Sequence, residues 1–323
     1  MKTGIIGAGR VGCSLGKYFR SKGADLVGYY DTSAAAAKEA AAFTQTADFD
    51  QVQQLVRESD ILFITTPDSL LVPVWEEIKG MSHRNQIICH CSGALSSDSF
   101  SGAKEAGVSC CSVHPMLPFS NKFSSYQQLE HAFFTVEGHP HAVQVITDLL
   151  TSYGNEVCRI DAAAKPEYHA AASILSNQVI AVLDMGYRLL EDCGFSREKA
   201  VAATAALVRQ NIENVLSQGC VHALTGPIER GDVATVEKHL HCLNTEDAAL
   251  YRMLGTRLLA IAEGKNPAQN YENMRHVYLL INRKKKMEDL INEKYGCNFS
   301  GSKRQRRKAF HADRLRLFYC QTY

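Results

Sequence analysis

Gly7-Ala8-Gly9-Arg10-Val11-Gly12 follows a short apolar run at residues 3–7 and opens a stretch with helical spacing through Leu15, Tyr18 and Phe19. Asp31 stands nineteen residues after the last of these glycines, at the end of a second strand-like run over 25–30. Strand, glycine loop, helix and trailing carboxylate, in that order, are what a dinucleotide cradle requires. Gly7 allows the tight turn, Gly9 lets a pyrophosphate approach the backbone, and Gly12 lets helix and strand pack closely. The helix N-terminus faces the phosphate charge. Asp31 is suited to accept hydrogen bonds from the adenosine ribose hydroxyls and to repel a 2′-phosphate, which favours NADH weakly over NADPH. Arg10 and Lys38 are the cations near enough to receive such a phosphate.

Other chemistry-bearing residues fall at strand ends, where open α/β sheets bind ligands. They are Thr65-Thr66-Pro67-Asp68, Ser92-Gly93-Ala94 and His114-Pro115-Met116. Thr66 and Pro67 belong with the cofactor cradle, as do Arg10 and Val11. Further on, Lys165, His169, Ser173 and Asn177 are spaced by four and drift slowly round one helix face. Such a polar ridge either bonds to neighbouring helices or faces a ligand. Facing a nicotinamide, it suits hydride transfer to the carbonyl of a small 2-oxo acid. The alkoxide left by hydride addition needs a proton donor within about 3 Å. His169 is the preferred donor, with His114 polarising the substrate, Ser92 and Asn177 hydrogen-bonding it, and Lys165 as the alternative donor. Ser92, Gly93, Thr225 and Arg230 are the candidate substrate contacts. Arg230, after the Thr225-Gly226-Pro227 turn, suits bidentate anchoring of a carboxylate, or a structural ion pair.

The elements that must hold these groups are legible as a pattern. Six strand runs, at 3–7, 25–30, 60–66, 86–91, 108–113 and 132–136, alternate with helix-length segments, which predicts a parallel, doubly wound sheet. From about residue 160 only helical periods remain: one from Pro166 to Gly194, one from Ser196 to about Ser217, one ending near Leu243, and one over 246–263. The expected organisation is a dinucleotide-binding domain at 1–158, a helical substrate and dimerisation domain at 159–282, and a basic tail at 283–323. That tail holds 12 Lys and Arg against 4 Asp and Glu, whereas the first 282 residues hold 23 against 30. The mildly acidic body argues against nucleic acid as a partner. No apolar run is long enough to span a membrane, and the start lacks a signal core, so a cytoplasmic protein is expected. The eleven cysteines read as buried free thiols rather than as a metal or redox site.

Several strings together are similar to one family: Gly-Ala-Gly-Arg-Val-Gly (7–12), Thr-Pro-Asp (66–68), His-Cys-Ser-Gly-Ala-Leu (90–95) and Ser-Val-His-Pro-Met (112–116). Lys165 with Tyr168-His169-Ala170-Ala171-Ala172, Ser176-Asn177, and Leu-Thr-Gly-Pro-Ile-Glu-Arg-Gly-Asp (224–232) complete the likeness. Over about residues 1–265 the chain resembles the Rossmann-like family with an all-α C-terminal domain of unknown function. That family lies in the 6-phosphogluconate dehydrogenase-like superfamily, near ketopantoate and pyrroline-5-carboxylate reductases. The resemblance implies a Rossmann domain followed by an all-α domain, an NAD(P)-dependent oxidoreductase, a homodimer through the helical domain, and an activity like that of ketopantoate reductases. Two departures stand out. Family members often carry Arg just after the second strand, where this chain has Asp31-Thr32-Ser33, and related reductases use Lys with Asn four residues on, where Lys165 is followed by His169. The Ser-x-Gly and His-Pro-Met strings also resemble prephenate dehydrogenases, where a strand-end Ser and a His meet the substrate. A nucleotide-binding sensor without turnover is the remaining alternative.

Overall fold

The structure is a computed structural model, described for residues 1–278. The basic tail at 283–323 therefore lies outside the described residues. By contact the chain divides into two compact units, Met1–Leu183 and the part from Asp184 onward.

The first unit is built on one eight-stranded sheet. In chain order the elements are β1 (Lys2–Ile6), α1 (Arg10–Ser21), β2 (Asp25–Tyr30), α2 (Ala34–Thr44), β3 (Ala47–Asp48), α3 (Val52–Glu58), β4 (Ile61–Ile64), α4 (Asp68–Ile78) and β5 (Ile87–His90). They continue as α5 (Ala103–Ala106), β6 (Ser109–Pro115), β7 (Phe134–Gly138), α6 (Pro140–Ser152), β8 (Val157–Arg159) and α7 (Lys165–Ser173). Strand order is β3-β2-β1-β4-β5-β6-β7-β8. Successive residues on the central strands feed opposite faces. Ile5, Phe63, Cys89 and Cys111 join the core under α1, α2 and α6. Ile6, Leu62, Ile88 and Cys110 join the core under α3 and α4, around the fully buried Trp75. Continuous apolar runs are therefore what this sheet needs, because both faces are covered.

The sheet departs from the expected wholly parallel arrangement at one pair. β7 runs antiparallel to β6. The residues between them carry a short 3₁₀ turn, Ser125–His131, instead of a crossover helix, and without a crossover the chain returns in the opposite direction. Strands β3 and β8, of two and three residues, add edge pairs that carry no alternation of their own.

The long helix expected from Pro166 to Gly194 is interrupted. After α7 the chain makes a π-helical turn, Ile174–Gln178, and resumes as α8 (Val179–Asp192). In the second unit, α9 (Arg197–Ala223) starts on the Ser196 cap, whose side chain accepts from Lys199 N, and bends at Gly219, where φ is +78°. Helices α10 (Val233–Cys242) and α11 (Thr245–Lys265) begin at Asp232 and Asn244, whose side chains accept the first free amides. Their core is Ile228, Val236, Leu259, Ala262, Tyr271, Met274 and Tyr278. No helix among the described residues is long and apolar enough to cross a membrane.

Candidate active site

The glycine loop between β1 and α1 has the geometry a dinucleotide needs. Gly7 adopts φ +101°. A Cβ on Gly12 would stand 2.1 Å from the Gly7 carbonyl oxygen, whereas one on Gly9 would meet nothing within 4 Å. Gly12 thus closes helix on strand, and Gly9 keeps its outer side open. Thr65 Oγ1 donates to the Gly7 carbonyl at 2.7 Å and pins the turn to the end of β4. Among the described residues no side chain caps α1, so its first amides are free to face an anion. A cavity of about 210 Å³ is lined by Gly7, Gly9, Asp31, Thr66 and Pro67 among others. The Thr66 hydroxyl is buried and has no hydrogen-bond partner among the described residues. An open glycine, an orphaned hydroxyl, uncapped amides and a carboxylate round one cavity fit the polar edge of a dinucleotide.

Asp31 does more than wait for a ribose. Its Oδ2 accepts from Ala8 N at 2.8 Å and its Oδ1 from Ser33 N at 2.8 Å, so it braces the loop while Ser33 caps α2. Each carboxylate oxygen keeps a second lone pair for a hydroxyl. Arg10 begins α1, with its guanidinium donating to the Phe119 carbonyl at 3.3 Å, and Val11 is half-buried behind it.

A second cluster forms along the carboxyl ends of β5 and β6 and the antiparallel β7 beside them. Register sets His90 beside Ser112 and Ser112 beside Glu137, and two residues on it sets His114 beside Thr135. Paired residues share a face, and so do residues two apart. One sheet face therefore carries His90, Ser112, Glu137, His114 and Thr135, and α7 lies over it. Lys165, only 1% exposed, donates to Ser112 Oγ at 2.7 Å and to the Ser92 carbonyl at 2.8 Å. Burial lowers the Lys165 pKa, and the carboxylates of Glu137 and Asp68 work against that. Glu137 is itself held by Ser97 N at 2.9 Å and Ser97 Oγ at 2.8 Å. Tyr168 Oη and His114 Nδ1 are 2.6 Å apart. Burial pulls His90 and His114 down to about 4, helped by the Lys165 ammonium.

Gly93 sits where the two candidate histidines meet. A Cβ there would lie 2.8 Å from His114 Nε2 and 2.8 Å from His169 Cδ2. Sheet edge and helix thus bring both rings against one glycine. Ser92 is differently engaged from the sequence expectation. Its hydroxyl donates to Asp68 Oδ2 at 2.8 Å and accepts from Ala94 N and Leu95 N, which leaves it no proton for a substrate. The four-residue ridge is only partly realised: Lys165 is buried, His169 is exposed, and Asn177 lies exposed within the π turn, where the wider winding changes the angular step. Thr225 and Arg230 belong to the second unit and are exposed on a turn fixed by Lys265 Nζ, which donates to the Leu224 carbonyl at 2.6 Å, and by the Tyr271 hydroxyl on the Glu229 carbonyl. Tyr168, Ser112 and Glu137 were not among the candidate site residues. Only Tyr168, adjacent to His169, carried a positional hint.

Two family models match the sequence, a Rossmann-like domain over residues 1–115 and the domain of unknown function DUF2520 over residues 132–258. No curated protein matches. Among solved structures the fold is similar to protein TM1727 from Thermotoga maritima, at 21% identity and TM-score 0.63, covering 82% of this chain and 99% of that one. It is also similar to a Bacteroides fragilis protein provisionally described as an NADP oxidoreductase, at 19% identity and TM-score 0.64, over 80% and 98% of the two chains. An imine reductase from Myxococcus stipitatus, solved with NADP⁺, matches at 16% identity and TM-score 0.56, over 83% and 95%. At these identities the likeness is one of fold.

Proposed function

For a chain that belongs to the family joining a Rossmann-like domain to the domain of unknown function DUF2520, we propose an NAD(P)H-dependent reductase of a small carbonyl substrate, a 2-oxo acid in the manner of ketopantoate. The observation that carries this reading is the cradle at Gly7, Gly9 and Gly12, with the orphaned Thr66 hydroxyl and Asp31 beside it. Gly7, Gly9, Arg10, Val11, Gly12, Asp31, Thr66 and Pro67 would hold the dinucleotide. When bound, it supplies a hydride to the carbonyl carbon.

The remaining work falls to the chain. As the C–H bond forms, the carbonyl π pair moves onto oxygen, which must be stabilised and then protonated. His114, neutral at pH 7, polarises the oxygen as a hydrogen-bond donor. His169, exposed on α7 and against the same glycine, delivers the proton and recovers it from solvent. Lys165 holds α7 on the sheet through Ser112 and the Ser92 carbonyl, and Ser92 shapes the turn. Asn177 is reserved for hydrogen-bonding the substrate. Asp31 supports a modest NADH preference.

We also propose a homodimer, on the strength of large apolar side chains left in water: Leu175 at 75% and Ile180 at 65% exposed round the π turn, and Leu207 at 69% and Leu216 at 75% on α9. Light scattering should return twice the chain mass, and a monomer would refute it. The activity is tested by titrating NADH and NADPH by fluorescence and following their oxidation with ketopantoate, pyrroline-5-carboxylate and other 2-oxo acids, with prephenate run in the oxidative direction. Nucleotide binding without consumption on any substrate would overturn the reductase and leave a sensor.

A further inference from the structure

We propose that Tyr168 is a positioning residue that fixes the proton of His114 on Nε2, so that the sheet-edge imidazole meets the reducible oxygen as a hydrogen-bond donor. This rests on the reductase reading for its use, but not for its geometry.

The two side chains come from elements 54 residues apart and meet through one bond, Tyr168 Oη to His114 Nδ1 at 2.6 Å, with the rings at 85°. A phenol and an imidazole share one proton across such a contact, and which partner donates decides where the second imidazole proton sits. Burial raises the Tyr168 pKa, so the phenol keeps its proton at neutral pH. The ring it faces is neutral. The groups around it are Lys165 and His169 with Tyr168 on α7, His90 on β5, and Thr135 and Glu137 on β7. The Lys165 ammonium and burial both keep a second proton off. Of the two ways to place that proton, the phenol is the stronger acid and the imidazole nitrogen the stronger base, so Tyr168 Oη donates to Nδ1 and the single imidazole proton is then on Nε2. That nitrogen makes no hydrogen bond among the described residues and lies at Gly93, where the missing side chain leaves space that it shares with the His169 ring. Tyr168 itself is bound on the far side of the ring from this space, so it acts through His114.

The test is the tautomer, read by ¹⁵N correlation spectra of histidine-labelled protein at pH 7. In the wild-type chain His114 should show a protonated Nε2 and a hydrogen-bonded, unprotonated Nδ1. In Tyr168→Phe the Nδ1 resonance should move toward an unbonded nitrogen, and the Nδ1-protonated form should gain population. A wild-type proton on Nδ1 would overturn the proposal without need of any variant, and so would a His114 spectrum indifferent to Tyr168→Phe. On the substrate the panel identifies, Tyr168→Phe should lower kcat at least about tenfold while the Kd for reduced nucleotide stays within about twofold. Unchanged kcat beside an altered tautomer would overturn the role in turnover. If no substrate is reduced, the reductase reading fails, and the spectra still decide the tautomer.

Discussion

At Gly93 two imidazoles border the space that a side chain would need. A methyl group there would stand 2.8 Å from both His114 Nε2 and His169 Cδ2 and force the rings apart. Gly93→Ala and His169→Ala are each expected to lower kcat about 10²-fold or more, the scale of lost general acid catalysis, with nucleotide Kd unchanged. Normal turnover in His169→Ala would move the proton donor elsewhere. His90 allows a prediction without any substrate. It is 1% exposed, its Nδ1 accepts from Ser92 N at 3.2 Å, and burial takes its pKa from 6.5 to about 4. Between those values the unfolded chain binds a proton that the folded chain refuses, so stability falls as pH drops from about 6.5 to 4. Denaturant unfolding should register a loss of about 2 kcal/mol from pH 7 to pH 5 through this group, and His90→Gln should flatten that slope. Single residues were unevenly legible. Gly7, Gly9, Gly12 and Asp31 announce themselves because their spacing along one strand–loop–helix–strand stretch is itself the signal. Ser112, Glu137 and Tyr168 do not, because what they touch is set by strand register and by how α7 lies on the sheet.

At the scale of elements, the β1–loop–α1 unit stands on one close approach. Gly12→Ala would place its Cβ 2.1 Å from the Gly7 carbonyl and 2.4 Å from Thr65 Oγ1, neither of which can move without breaking the turn. An expected cost of about 1–3 kcal/mol follows from overpacking, with at least tenfold weaker nucleotide binding. A variant that binds as tightly as the parent would show that the loop relaxes freely. The same strands show what an apolar run conveys and what it omits. Phe134-Thr135-Val136 reads as a buried strand, but an apolar run is the same in either direction, so the reversal of β7 was not visible. Strands of two and three residues are too short to show a period. The π turn at Ile174–Gln178 hides in a sequence that fits 3.6 residues per turn almost as well.

At the scale of the whole molecule, the division into an α/β part and a helical part was legible from the end of strand runs near residue 160. The first compact unit nevertheless extends to Leu183 and takes in α7. Lys165 explains why: one buried ammonium satisfies Ser112 Oγ and the Ser92 carbonyl and faces Glu137. This bears on where the chain tolerates being cut. A fragment ending at residue 158 retains every strand of the sheet except the last residue of β8, yet loses the helix over the polar face and the ammonium that donates to Ser112 Oγ and the Ser92 carbonyl. Hydrogen bonds from a charged donor contribute about 1.5–3 kcal/mol each. A fragment ending at residue 183 should therefore unfold at clearly higher denaturant than the shorter one, and equal midpoints would mean that the helix is a passenger. Autonomy in this fold is conferred by a side chain that follows the last strand, so the smallest self-sufficient piece is longer than its sheet.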